Sequence, residues 1–367
     1  MPLTKQSAYI SPSPISIAIG NAITIPPVVV IPSFQIYSDG QLLGTRNGKY
    51  IHSFRWYPTF GGASTTPTTF VFSDLEGCLM DFLSSLPSST TSVSAPELVY
   101  VGSSCLSGAG GNQYNSLTSI QLPKLVKIDG TGLSFISTSL TSLNLDSLIE
   151  FGGGFASTWN ALPSLSLPSL KTILSGFSNT MSTATSISTP SLVFCGSSIS
   201  WTVPACTTWT LPALGTWKVC NGNVSITSCA FNQATVDNIL SALAYMDGTN
   251  NTLAFSAGRS AAITGASSAP TNLGSTTTAG SNFVGSGTTC TVNMTAHGYA
   301  TDDVLRISGI TTLTNANRYA RITVVNANQF TYNMGSQTAT GAGTATVVKA
   351  GASAKALVTR GVTLTTN

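Results

Sequence analysis

The stretch that decides the fold is LTSIQLP (117–123), followed by LTSLNLD (140–146) and LPSLSLP (162–168). Each phrase alternates apolar with small polar residues and closes on a proline or an aspartate. The phrase recurs as TSVSAP (91–96), TSISTP (185–190) and TTWTLP (207–212). The closing residues are Pro96, Pro123, Asp146, Pro168, Pro190 and Pro212, in steps of 27, 23, 22, 22 and 22 residues. Self-similarity at a steady period of this size marks a stacked solenoid.

Four columns run through the units and read as the core. Three residues before the closing position stand Val93, Ile120, Leu143, Leu165, Ile187 and Trp209. One before it stand Ala95, Leu122, Leu145, Leu167, Thr189 and Leu211. Two after it stand Leu98, Leu125, Leu148, Leu170, Leu192 and Leu214, and five after it Val101, Ile128, Phe151, Ile173, Cys195 and Trp217. Alternation before the closing residue is strand-like, because successive side chains point to opposite faces. One strand per unit predicts a parallel sheet, about 24 Å across for six strands at ~4.8 Å each.

The complementary positions are uniformly polar and uncharged. One outward column is Ser119, Ser142, Ser164, Ser186 and Thr208; the other is Gln121, Asn144, Ser166, Ser188 and Thr210. They are the candidate surface for a glycan or a protein partner. Trp159 and Trp201, read as lying in the inter-strand loops, join them as candidate stacking surfaces for a sugar ring. The competing reading puts both indoles in a loop-side core with Phe155, Phe177 and Ile199.

The residues of 117–123 and 140–146 resemble the leucine-rich-repeat family, in its loosely patterned BspA-like branch. The resemblance covers about 94–220 and implies a mainly β, leucine-rich-repeat-like solenoid. The units depart from that family in lacking a consistent turn Asn; hydroxyls and Gly130, Gly153, Gly154 and Gly176 take its place. A second resemblance lies at Ala296–Tyr299 (AHGY), Asp303–Ile307 and Asn328–Tyr332. These segments are similar to a small β-domain that recurs in bacteriophage tail and fibre proteins.

Flanking segments complete the expected plan. Residues 1–72 read as a β-rich arm for attachment, with a hairpin in FQIYSDGQLLG (34–44) turning at Asp39-Gly40. Residues 73–256 read as the solenoid with a helical cap at each end. The first cap, 73–86, rests on Ser73 and Glu76 as a capping box and on an apolar stripe of Leu75, Leu79, Phe82, Leu83 and Leu86. The second, 232–247, has Asn232 as N-cap and Val236, Ile239, Leu240 and Leu243 as its stripe, with Gly248 ending it. TLAFSAG (252–258) then reads as a last strand. Residues 257–285 read as a Gly/Ser/Thr linker, and 286–367 as a small C-terminal β-domain whose tail, ALVTRGVTLTTN, adds a strand.

Composition narrows the function. Charged residues make up 7% of the 367, the net charge is +3, and no Lys/Arg cluster appears, so no nucleic-acid partner is expected. The apolar run 25–31 contains Pro26 and Pro27 and is far short of a membrane span. The opening MPLTKQSAYISPSPISIAIG lacks a charged and then apolar leader pattern, so synthesis in a host cytoplasm without export is expected. Seven cysteines show no CxxC spacing, so neither a metal nor another cofactor is expected. Cys195 and Cys206 fall on core positions, and Cys220–Cys229 stands as a minor disulfide reading.

Catalytic chemistry finds little to work with. His52 sits in the strand-like YIHSFRWY, and His297 reads as a turn residue packed on Tyr299. HExxH, GxSxG and phosphate-loop signatures are absent. Glycoside hydrolysis needs two carboxyl groups about 5–9.5 Å apart. Asp129 and Glu150 come from different columns, Asp146 replaces a turn proline, and Asp302 and Asp303 read as shaping a turn. No catalytic residue and no enzyme activity is therefore expected. The resemblances imply a bacteriophage virion surface protein: a tail fibre, head fibre or capsid decoration subunit. It would bind other virion proteins and host surface polysaccharide, as a homo-oligomer with a trimer favoured. A bacterial cell-surface adhesin is the alternative, and a virion polysaccharide depolymerase ranks below both.

Overall fold

The computed structural model describes residues 68–78, 82–83, 86–102, 105–106, 113–130, 132–153, 155–246, 255–256, 258–270, 277–310, 313–335 and 339–366, together with the strand paths at 16–19, 21–24, 33–38, 41–47 and 50–51. The chain forms two compact units, residues 1–212 and 213–367. Among the described residues no helix is long and apolar enough to cross a membrane.

The first unit is a parallel solenoid. Its first ladder stacks Thr69–Phe72, Ser92–Ser94, Ser119–Gln121 and Ser142–Asn144, then Ser164–Ser166, Ser186–Ser188 and Thr208–Thr210. These strands bound about six turns. The expected single strand per unit is corrected, because each turn carries three. A second ladder runs through Gly77–Cys78, Tyr100–Val101, Lys127–Ile128, Glu150–Phe151, Thr172–Ile173 and Phe194–Cys195. A third joins Ile136–Ser137, Phe155–Trp159, Phe177–Thr180 and Ile199–Thr202. The two-residue strands of the second ladder leave no room for alternation in the sequence.

The core columns hold with three exceptions. Every member of the position two after the closing residue is fully buried from Leu98 to Leu192, but Leu214 is 63% exposed. Leu211 and Leu143 are half-buried. Thr189 looks misplaced in a leucine column, yet its hydroxyl accepts the Trp209 indole N–H at 2.9 Å, so the two polar groups satisfy each other inside the core.

The helix expected at 73–86 is not there. Phe70, Phe72, Leu75 and Cys78 occupy the same inward columns as Val93, Ala95, Leu98 and Val101, and all are fully buried. This segment is therefore one more turn, 23 residues before the next: Phe70 pairs with Val93 and Cys78 with Val101. A coil read at positions 75, 82 and 83 mimics a helical stripe, and Gly77 in its middle disfavours a helix. The edge strand Thr69–Phe72 is covered instead by an antiparallel hairpin, Ser33–Ser38 with Gln41–Asn47, through Ile36 on Phe72 and Tyr37 on Val71. That hairpin is the one expected at 34–44; Asp39 and Gly40 themselves lie outside the described residues. Ser16–Ile19 pairs antiparallel with Asn21–Thr24.

The second unit combines a parallel ladder, two helices and a barrel. Helix α1 (Gln233–Tyr245) starts as expected: the Asn232 side chain accepts the Thr235 N–H at 2.9 Å. Gly248 lies outside the described residues. The ladder is Val224–Cys229, Ser260–Gly265 and Thr363–Thr366. The expected strand at 252–258 is thus displaced to Ser260–Gly265, and Phe255 and Ser256 are not in a strand. The segment 257–285, expected as a linker, carries that strand and most of Thr277–Ser286. Small residues suit such close pairing: a Cβ on Gly265, whose φ is +110°, would collide with the Ser228 backbone.

Six antiparallel strands close the barrel, in the order Thr277–Ser286, Thr289–Asn293, Gln329–Asn333, Arg318–Asn326, Val304–Ser308 and Ala339–Lys349. Phe283, Val292, Leu305, Ile307, Ile322, Phe330 and Val347 fill it. Its tail is not a plain strand. Ala352–Thr359 forms helix α2, and the chain then returns to lay Thr363–Thr366 parallel on Ser260–Gly265. The barrel is therefore an insertion between two neighbouring strands of one ladder. Arg360 ties α2 to α1 by donating to the Met246 and Ala244 carbonyls at 2.6 and 2.8 Å, where the last carbonyls of a helix lack partners.

All seven cysteines are buried thiols outside any disulfide, so the Cys220–Cys229 bridge is not formed.

Candidate functional site

The first ladder carries the candidate surface. Parallel register places like residues side by side: Ser92, Ser119 and Ser142 in one row, Ser94, Gln121 and Asn144 in the next. The same two rows continue as Ser164, Ser186 and Thr208, and as Ser166, Ser188 and Thr210. Each of these side chains is exposed or half-buried. Gln121 Nε2 donates to Ser119 Oγ at 3.0 Å and to Ser142 Oγ at 2.9 Å, so part of the face is already ordered by its own hydrogen bonds. The face begins two turns earlier than the sequence suggested, at Thr69, whose hydroxyl accepts from Ser92.

Trp159 and Trp201 do not belong to it. Trp159 is fully buried and Trp201 is 1% exposed. They are inward residues of third-ladder strands rather than loop residues. Their rings continue an aromatic stack: Phe155 to Trp159 at 5.3 Å, Phe155 to Phe177 at 5.1 Å, Phe177 to Trp201 at 5.0 Å and Trp201 to Trp209 at 4.5 Å. The strands FASTW, FSNT and ISWT alternate inward residues, four of them aromatic, with outward small ones, and this was the available signal. Their outward rows, Ala156, Ser178 and Ser200 beside Thr158, Thr180 and Thr202, make a second hydroxyl-rich face that sequence reasoning missed.

One ionic cluster lies on the second ladder. Lys127 Nζ meets Asp129 Oδ1 at 2.9 Å and Glu150 Oε1 at 3.0 Å. The Tyr100 hydroxyl donates to Asp129 Oδ2. The two carboxylates expected to stand apart are thus brought together, because Lys127 is the register neighbour of both Tyr100 and Glu150. Burial alone would lower the Lys127 ammonium, but its two carboxylate partners outweigh burial and raise it above the ordinary lysine value. Burial, and then the Asp129 carboxylate, push the Tyr100 phenol well up. Among the described residues no His, Cys, Asp and Glu group has metal-site geometry.

In the barrel, His297 is a structural residue. Its Nδ1 accepts the Tyr299 N–H at 3.0 Å, which leaves Nε2 to donate to the Asn326 carbonyl at 3.0 Å. Its ring stacks on Tyr299 at 5.4 Å, as the turn reading expected. His52 lies outside the described residues. Asp302 pairs with Arg321 at 2.8 Å, and Asp303, 9% exposed at its side chain, pairs with Lys349 at 2.8 Å. No family model, curated protein or solved structure matches the chain.

Proposed function

We propose that the chain is a non-catalytic surface protein of a bacteriophage particle, a fibre or decoration subunit, whose solenoid presents its hydroxyl face to neutral host-surface polysaccharide. The observation that carries this reading is the pair of in-register rows on the first ladder. An uncharged lattice of hydroxyl and amide groups offers a sugar chain many hydrogen bonds and no charge to desolvate. Such a face suits weak, repeated contacts that gain strength through multivalency, and self-association of the chain as a homo-oligomer would multiply them. The resemblance of Ala296–Tyr299, Asp303–Ile307 and Asn328–Tyr332 to phage fibre segments supports the virion setting, with residues 1–72 joining other virion proteins.

The experiment is a pull-down of purified full chain on insoluble host cell-wall polysaccharide. Ser164, Ser166, Ser186 and Ser188 are replaced together by Asp, with circular dichroism confirming the fold. Loss of binding in the variant is expected. Equal binding by both proteins would sink the glycan reading, and absence of the chain from purified particles by immunoblot would sink the virion reading.

The meeting of Asp129 and Glu150 gives a depolymerase reading its one specific support. Both carboxylates, however, are engaged by Lys127, and Asp129 by Tyr100 as well, which suits a structural cluster better than an acid and nucleophile pair. A reducing-end assay on the same polysaccharide decides between them. Release of new ends that stops in Glu150→Gln would establish hydrolysis.

A further inference from the structure

The first ladder is cut once, and the cut has a sequence cause. In each turn a threonine donates both its N–H and its hydroxyl to the carbonyl one turn back. Thr91 does so to Thr68 at 2.6 and 3.0 Å, Thr118 to Thr91 at 2.7 and 2.9 Å, and Thr141 to Thr118 at 2.9 and 3.2 Å. Thr185 and Thr207 repeat the pattern on Pro163 and Thr185. The residue at this place in the intervening turn is Pro163, which has neither an N–H nor a hydroxyl.

A second recurring bond fails at the same junction. Ala95 N–H donates to Gln121, Leu122 to Asn144, Leu167 to Ser188 and Thr189 to Thr210, at 2.9–3.0 Å. Leu145 makes no such bond to Ser166, and Ser142–Asn144 does not pair with Ser164–Ser166. The other two ladders cross the junction intact. Lys171 and Thr172 donate to Ile149, Leu174 to Phe151 and Phe155 to Gly176. Glu150–Phe151 stays in register with Thr172–Ile173, as does 155–158 with 177–180. Leu143, at the lip of the cut, is half-buried, whereas Ile120 and Leu165 on either side are 0% and 1% exposed.

We propose that this junction is a built-in articulation: the solenoid opens between Leu145 and Ser166 on its hydroxyl face and hinges on the two ladders that remain paired. With two sides held and one released, the motion has a single direction. Opening uncovers Leu143, the Leu145 N–H and the Ser166 carbonyl in the middle of the face. A segment with fewer backbone bonds opens at lower free energy than its neighbours. The device stands on the hydrogen-bond pattern alone and does not depend on the glycan reading.

Residue-resolved amide hydrogen exchange on the full chain tests it. The Leu145 and Ser164 amides are expected to exchange at least about tenfold faster than their counterparts Leu122 and Ser142. Pro163→Thr restores both donors and is expected to bring Leu145 down to the Leu122 rate, while Pro163→Ala restores the N–H alone and gives an intermediate rate. Equal exchange of Leu145 and Leu122 in the natural chain would overturn the proposal, and so would a folded Pro163→Thr variant in which Leu145 stays fast. If neither variant folds, the comparison within the natural chain decides by itself.

Discussion

Asn179 sits 3% exposed inside the solenoid with neither its Oδ1 nor its Nδ2 hydrogen-bonded. Its register neighbours are Ser157, whose hydroxyl donates to the Leu133 carbonyl, and Trp201, whose indole N–H is also buried without a partner. A buried polar group left unsatisfied costs about 1–3 kcal/mol. Asn179→Leu, close in volume and apolar, is expected to raise stability by ~1–2 kcal/mol in urea unfolding. Asn179→Asp should lower it, because a carboxylate there would be buried without a partner. Two glycines give the opposite kind of test. A Cβ on Gly152 would collide with the Asp129 carbonyl, and one on Gly196 with the Leu174 carbonyl. Gly152→Ala and Gly196→Ala are each expected to lower the unfolding free energy by about 1–3 kcal/mol through overpacking. Glycine thus alternates with a bulkier residue from turn to turn at this corner, and the backbones close up at every second step.

At the scale of elements, the barrel is pinned by one carboxylate. Asp303 accepts the Ala300 N–H at 3.0 Å and Lys349 at 2.8 Å, and faces Lys355 of α2 at 3.9 Å. Burial alone would push its carboxyl up; Lys349, the Ala300 N–H and Lys355 outweigh burial and hold it below the ordinary value. A lowered folded value means that the stabilisation is fully present above the unfolded pKa of about 3.9 and fades as pH falls through the folded value. Thermal melts of residues 1–367 are therefore expected to lose a barrel contribution below about pH 4, and Asp303→Asn should flatten that loss. Elements of this kind differed in how far the sequence disclosed them. The first ladder was legible because the six-residue phrase around each of its strands alternates and recurs with the closing proline or aspartate. Helix α1 was legible from Asn232 and its stripe. The turn at 73–86 was not, because Leu75, Phe82 and Leu83 satisfy a coil and a helix equally well. The third ladder was hidden by aromatic residues that fit either a loop-side core or an exposed platform. Of the candidate site, the serine and threonine rows were readable from periodicity. The burial of Trp159 and Trp201 needed the pairing of neighbouring strands.

For the whole molecule, two kinds of edge protection appear. The Ser33–Ser38 hairpin covers the first-ladder strand Thr69–Phe72, and Thr363–Thr366 covers Ser260–Gly265. An uncovered strand edge templates association with other chains. Removal of residues 351–367 takes away α2, the Arg360 bonds to α1 and the covering strand together. The shortened chain is expected to form soluble aggregates at concentrations where the full chain does not, measured by light scattering.

The insertion of the barrel also sets an order of events on the ribosome. Ser260–Gly265 emerges first and must wait while the 97 residues from 266 to 362 are made before its neighbour Thr363–Thr366 arrives. The ladder can therefore be completed only by a chain whose barrel has already been synthesised, and the contact of Tyr319 with Thr366 at 2.9 Å checks that the barrel sits beside the arriving strand. Translation halted anywhere in between leaves the Ser260–Gly265 edge without the strand that pairs with it.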